Sequence, residues 1–424
     1  MTTAIERPTD ITIPATSLWA KLPLIAGGIG GLGTLATIVM MVTGEHKDRA
    51  AYAYLFAFMA TLSIALGSLA FVLIQHAVRA GWSTVIRRIA ESSAATLPLF
   101  AILFLPILFI GFHDLYPWTH ETDKVLEAKR WWLGADGGNG SMTKFLVRAV
   151  IFLGIWSFLG VTLWRWSTSQ DKLANRDARD AITRKLWTLS AGGIFLYALS
   201  QSFAAFDWQM SLLPHWYSTM YGVYYFAGSM VGFYAFTGLT LMTLQKAGVL
   251  KNAVTTEHYH DIGKLMYGHT IFWAYVTFSQ FMLIWYANIP EETEYFMMRV
   301  EGGWHYITYA MPVIHFFIPF FMLVSRHVKR NRMGLAVACV WLLVVHVIDI
   351  YWNVLPNYLP GGHHPGGEEV VTHHPALAIA LVDVTAFVGI VGLFLAVFAW
   401  LLKKNAVVCI GDPRLEESLA HENF

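Results

Sequence analysis

Residues 200–243 read SQSFAAFDWQMSLLPHWYSTMYGVYYFAGSMVGFYAFTGLTLMT: two long apolar runs joined by a short polar corner that carries Asp207, Pro214 and His215. An acid between two such runs is expensive to bury in hydrocarbon, about 2.5–3.5 kcal/mol at mid-bilayer, so its retention implies a partner, water or a chemical task. The competing explanation is a tight loop anchored by the neighbouring Trp and Tyr, with Asp207 capping the second helix. The pattern recurs elsewhere. His113 and Asp114 close another apolar run in FIGFHDLYPW, His346 and Asp349 are three apart on one helical face, and Gln280 and Asp383 lie toward the same ends of their runs. His76, His269 and His315 sample the opposite ends and the middle, and Tyr197 and Gln201, four apart, share a face below Asp207. Carboxyls near apolar surface hold protons tightly and imidazoles titrate near neutrality, so such a set has the chemistry to take up protons at one place and release them at another. His113, Asp114, Asp207 and His215 form the candidate outer site; His76, Tyr197, Gln201, His269, Gln280, His315, His346, Asp349 and Asp383 are the candidate proton carriers.

The elements that must position these groups follow from composition. Of 424 residues, 56% are hydrophobic and 13% charged, which excludes an ordinary soluble domain. Apolar runs long enough to span a bilayer, about 20 residues each, fall at 22–43, 51–75, 93–112, 145–166, 186–206, 217–244, 265–287, 306–325, 334–352 and 376–402. The expected fold is an all-α membrane protein of ten spans. Its parts are an N-terminal segment at 1–21, a membrane domain at 22–402 and a tail at 403–424. With the N-terminus inside, only eight of the 29 basic residues face outward, namely Lys47, Arg49, Lys124, Lys129, Arg130, Lys144, Arg148 and Arg299. That bias places both termini in the cytoplasm and gives the basic residues an orienting role rather than a nucleic-acid one. The first span is followed by TGEHKD and is expected to be retained rather than cleaved as a signal.

Along the chain, Gly27 and Gly31 make a GxxxG face, as do Gly228 and Gly232. The segment AVRAGWSTVIRRIAE is basic and amphipathic and is expected to lie on the inner surface. Pro98 and Pro106 break the third span, and Pro312 and Pro319 flank His315 in the eighth. Tyr217, Tyr221, Tyr224 and Tyr225 form a stripe that reads as bundle packing, and no Lys or Arg is expected to be buried within the spans. The outer loop NYLPGGHHPGGEEVVTHHP reads as a rigid glycine- and proline-punctuated loop in preference to a metal site. Two cysteines, Cys339 and Cys409, exclude an iron–sulfur cluster held by this chain alone and a CxxCH haem attachment, so any electron must pass to a partner. Haem b needs two facing histidines at one depth, and His315 has no evident mate. A secondary transporter stays open, because ten spans divide into five plus five with the third answering the eighth.

SFAAFDW, LLPHWYSTMYGVYYFAGSMVGFYAFTGLTL and YGHTIFWAYVTFSQFMLIWYANIPEETEYF, with HAVRAGWSTVIRRIAESSA and GFHDLYPW, resemble the NrfD-like integral membrane subunits of bacterial alternative complex III, most closely the second of two sister subunits. The resemblance covers most of spans two to nine. It implies two four-helix bundles, about 51–206 and 217–352, with the first and tenth spans peripheral. It implies an inner-membrane complex that oxidises menaquinol and passes electrons through outer iron–sulfur and haem c subunits toward cytochrome c or an oxidase. Other expected partners are the sister NrfD-like subunit and lipids; no covalently bound cofactor is expected, and menaquinone or menaquinol is the implied ligand. In the sister, the histidine ending the third span and the aspartate of the SFD segment line the quinol pocket, and these match His113 and Asp207. The chain departs from that pattern with HDLYPW in place of HLGRPW, Gln280 in place of an acid, and no aspartate between Phe145 and Trp166. The readings that remain are a quinol-facing or proton-conducting subunit, a structural subunit without its own quinol site, and a proton-coupled transporter.

Overall fold

The computed structural model describes residues 8–44, 46–119, 124–134, 139–358 and 377–423. Each expected apolar run forms a long helix: α1 (Leu18–Thr43), α2 (Lys47–Ala77), α3 (Thr84–Phe109), α4 (Asn139–Gln170), α5 (Arg176–Trp208), α6 (Tyr221–Lys246), α7 (Thr256–Ala287), α8 (His305–Val324), α9 (Arg332–Val354) and α10 (Leu381–Lys403). There is no strand among the described residues. Nine of these helices are long and apolar enough to cross a membrane. The exception, α7, has 32 residues and at about 1.5 Å per residue has the length. Its first turns, however, carry Glu257, His258, His260, Asp261 and Lys264.

Helix α2 is buried almost throughout and forms the axis of the molecule. Its Ala, Ser and Gly residues let neighbours approach closely; a side chain at Gly67 would strike the backbone of Ser229 in α6. Around this axis α2 to α5 pack on one another, α6 to α9 pack on one another, and α6 and α9 also meet α2. Helices α1 and α10 form a close pair beside α2. Their contact is made by Gly30 and Gly33 against Gly389 and Gly392, where a Cβ on Gly30 would lie 2.7 Å from the Gly392 backbone. The expected face of Gly27 and Gly31 is therefore displaced: Gly31 meets open space and Gly27 only approaches Ala396.

Two helices are broken where proline removes a hydrogen bond. In α3 the breaks give separate turns Leu97–Leu103 and Leu105–Phe109. In α8 a π-helical turn, Pro312–Phe317, carries His315, and the Ile314 carbonyl accepts from Trp341 Nε1 at 2.7 Å. That is how a freed carbonyl is satisfied away from water.

The basic segment expected on the inner surface is instead the buried start of α3, covered by the tail. Arg87 and Arg88, both buried, pair with Glu91. Arg87 also pairs with Asp412 of the tail, and Arg88 Nη2 bonds Asp171 Oδ2 at 2.6 Å. The Gly411 amide donates to Asp171 Oδ1 at 2.8 Å. Further along, Ser418 Oγ donates to the Trp82 carbonyl and His421 Nε2 meets Asp261 Oδ2 at 2.5 Å, so residues 404–423 strap α3 to α7 across the end of the bundle that carries the tail. Buried cations also occur at Arg299 and Lys329. All four buried cations stand outside the expected spans, before residue 93 or in the connections between α7, α8 and α9, where carboxylates or helix-end carbonyls surround them.

Candidate functional site

The polar interior lies among α6, α7, α8 and α9. Helix α9 turns His346, Asp349 and Asn353 toward α6, an i, i+3, i+7 series on one face. The Gly228–Gly232 pair of α6 lies opposite and receives an imidazole rather than a helix backbone. A Cβ on Gly232 would lie 2.8 Å from His346 Cδ2, and one on Gly228 would lie 3.2 Å from Cε1.

Asp349 is fully enclosed and accepts hydrogen bonds on both oxygens: the Tyr224 hydroxyl donates to Oδ1, and Trp273 Nε1 donates to Oδ2 at 3.2 Å. Asn353 Nδ2 donates to Tyr224 Oη and to the Asp349 carbonyl, both at 2.8 Å. Its Oδ1 accepts from Tyr295 at 2.8 Å and from Tyr221 at 3.3 Å. Arg299 closes the end away from the tail, donating to the Asn353 carbonyl at 2.9 Å and to the Tyr295 carbonyl at 2.8 Å while its guanidinium lies 3.5 Å from the centre of the Tyr295 ring. On the other side the Trp273 ring lies 3.6 Å from the His315 ring, centre to centre. Neither nitrogen of His315 has a hydrogen-bond partner among the described residues.

No Lys, Arg or His forms an ion pair with Asp349 among the described residues, and this separates it from the other buried carboxylates. Asp207, in the last turn of α5, accepts from Arg148 Nε at 2.5 Å and from Trp132 Nε1 at 2.7 Å. Asp383, in the first turn of α10, is held by both terminal nitrogens of Arg49 at 2.6 and 2.5 Å and by the Tyr351 hydroxyl at 3.1 Å. Protonating either of those acids would break a charge pair. Asp349 can gain or lose a proton with only neutral donors to rearrange, and it is the one acid of the expected set so placed.

The candidate outer site is not drawn together as expected. His113 is exposed and rests against Phe112, with no hydrogen bond to Asp207. Asp114 lies 3.9 Å from Lys47. His215 faces the short helix Pro290–Met297, where burial raises the affinity of Glu294 for its proton and His215 lowers it.

The remaining carriers are dispersed. Gln280 Oε1 accepts from Ser218 at 2.9 Å. His269 Nδ1 bonds the Leu265 carbonyl at 2.8 Å within its own helix. His76 lies 4.0 Å from Glu91 at the end of the bundle that carries the tail. Tyr197 and Gln201 line a crevice of about 170 Å³ between α2, α5 and α6, and Gln201 Nε2 donates to the Gly222 carbonyl at 3.1 Å. The paired histidines His363, His364, His373 and His374, with Glu368 and Glu369, lie outside the described residues. Among the described residues no three His, Cys, Asp or Glu side chains converge as a metal site.

Sequence reasoning missed Arg49 and Arg148, which it used for orientation only, and the hydrogen-bonding part of the tyrosine stripe. The signal for the first was position: both stand in the opening turns of their helices, at the level of the acids they bind, Asp383 and Asp207. Asn353, four residues beyond Asp349, carried the only hint of the second. The chain matches no protein-family model and no curated protein sequence.

Proposed function

We propose that this chain is an NrfD-like integral membrane subunit of a quinol-oxidising respiratory complex, and that its own contribution is a proton path through the interior of α6 to α9. The reading places it in a bacterial inner membrane with both termini cytoplasmic. It stands there beside a sister NrfD-like subunit and outer iron–sulfur and haem c subunits that carry electrons toward cytochrome c or an oxidase. The observation that carries it is Asp349: a wholly enclosed carboxyl that receives only neutral donors, Tyr224, Trp273 and Asn353, and has no ion-pair partner among the described residues. An intramembrane acid of this kind is by default a site of proton or ion handling.

From Asp349 the polar groups continue outward through Tyr224, Asn353, Tyr221 and Tyr295 to the outer connection. Inward, Trp273 and His315 extend the series toward the middle of α8. His113 and Asp207 are left out of the path: one is exposed and the other is committed to Arg148, which supports a structural task at that end of the molecule.

The test is Asp349→Asn in the assembled complex, reconstituted in vesicles. Proton release per quinol oxidised should fall while subunit assembly, read by gel filtration, is kept; wild-type proton release would overturn the proposal. A proton-coupled transporter is favoured by one observation, the proline breaks in both α3 and α8. Substrate uptake by the isolated chain in vesicles would establish that reading instead.

A further inference from the structure

We propose that Ser63 of α2 is a positioning residue that decides which nitrogen of His346 carries its proton, and so ties the first helix group to the Asp349 cluster. The inference rests on the proton-path reading above and adds to it a residue from outside that path.

Sequence spacing pairs His346 with Asp349. The structure sends the imidazole the other way: His346 Nε2 lies 2.7 Å from Ser63 Oγ, across the boundary between the two helix groups. The same oxygen lies 2.7 Å from the Ala60 carbonyl, one turn back along α2. A hydroxyl has one proton to give. When Ser63 gives it to Ala60, the usual back-bond of a serine inside a helix, its oxygen must accept from His346. The ring then carries its proton on Nε2, and Nδ1 presents a lone pair. When Ser63 turns its proton toward His346, Nε2 becomes the acceptor and Nδ1 carries the hydrogen. The orientation of one buried hydroxyl thus selects the tautomer.

The selection matters because of what Nδ1 faces. It has no hydrogen-bond partner among the described residues. A Cβ built on Gly228 would lie 3.3 Å from Nδ1 and 3.8 Å from Asp349 Oδ2, so both atoms border the same small space, kept clear by the glycine. With Nδ1 bare, a proton leaving the Asp349 carboxyl can be taken up there. The carboxyl becomes a carboxylate, the imidazole an imidazolium, and the Nε2–H bond to Ser63 persists throughout. With Nδ1 protonated, that transfer is blocked. The register is fixed independently of this contact, since the Tyr225 hydroxyl of α6 donates to the Met59 carbonyl of α2 at 2.8 Å, one turn from Ser63.

The test compares Ser63→Ala and Ser63→Thr in the assembled complex. Magic-angle-spinning ¹⁵N spectra of histidine-labelled protein, with His346→Gln to assign the signal, should show the Nε2–H form in wild type and its loss in Ser63→Ala. Proton release in Ser63→Ala should slow by about tenfold or more, within reach of what a positioned acid–base group supplies. Threonine offers the same hydroxyl and makes the same back-bond, so it should restore both the tautomer and the rate. An unchanged tautomer in Ser63→Ala overturns the inference, as does equal impairment by threonine and alanine, which would mark a packing effect. Altered tautomer in Ser63→Ala together with wild-type proton release in Asp349→Asn would sink the proton-path reading and leave the tautomer assignment standing.

Discussion

Removing the charge of Arg148 tests whether Asp207 is a structural acid. The Asp207 side chain is 1% exposed and receives two donors, Arg148 Nε at 2.5 Å and Trp132 Nε1 at 2.7 Å. Arg148 also donates to the Trp132 carbonyl and lies 4.6 Å from the centre of its ring, so one guanidinium fastens the outer segment 124–134 to both α4 and α5. Arg148→Met keeps an unbranched stem out to about the position of Nε and leaves the carboxylate with the indole alone. An uncompensated buried charge of that kind costs about 3–5 kcal/mol. A local opening made easier by that amount raises amide exchange by a factor of about 10² to 4 × 10³, because 1.4 kcal/mol is tenfold. Hydrogen exchange read by mass spectrometry over residues 124–134 and the last turns of α5 measures it. Arg148→Met with Asp207→Asn should recover to within about 1–2 kcal/mol of wild type, since a neutral amide still accepts from Trp132. Exchange in Arg148→Met within tenfold of wild type would refute the reasoning. So would an Asp207→Asn variant that keeps this segment protected yet loses proton release.

Two further outcomes follow from the packing. Gly232→Ala would set a methyl 2.8 Å from His346 Cδ2, so the ring must move and lose Ser63. Thermal unfolding should register a cost of about 1–3 kcal/mol, whereas Gly28→Ala, which meets open space, should leave stability unchanged. Cys409, in the tail, is enclosed against Glu91 and Ser167, and burial with the neighbouring carboxylate pushes its thiol up to about 12. At pH 8 the thiolate is then about one part in 10⁴. Alkylation of Cys409 should be negligible in the folded chain and rapid once it is unfolded in denaturant; rapid labelling of the folded chain would show that the tail does not stay seated on α3.

The sequence alone determined the ten long helices and which polar residues each carries, because a bilayer reads apolar length locally and penalises each buried charge without reference to the rest of the chain. It located Asp349, His346 and His315 as groups that need a reason to be where they are. The tertiary structure decided which of them share a reason. Asp207 and Asp383 looked equivalent to Asp349 along the chain, but they meet Arg148 and Arg49, 59 and 334 residues away, and are neutralised in place. The arginines of RRIAE looked like a surface helix until the C-terminal tail supplied Asp412 to cover them. Tyr224 belonged to a stripe with the spacing of ordinary packing, and it is a donor to the buried carboxyl only because α6 and α9 cross at Gly228 and Gly232. Hydropathy is a property of single helices; ion pairing and hydrogen bonding are properties of the contacts between them, and those are fixed only when the helices pack.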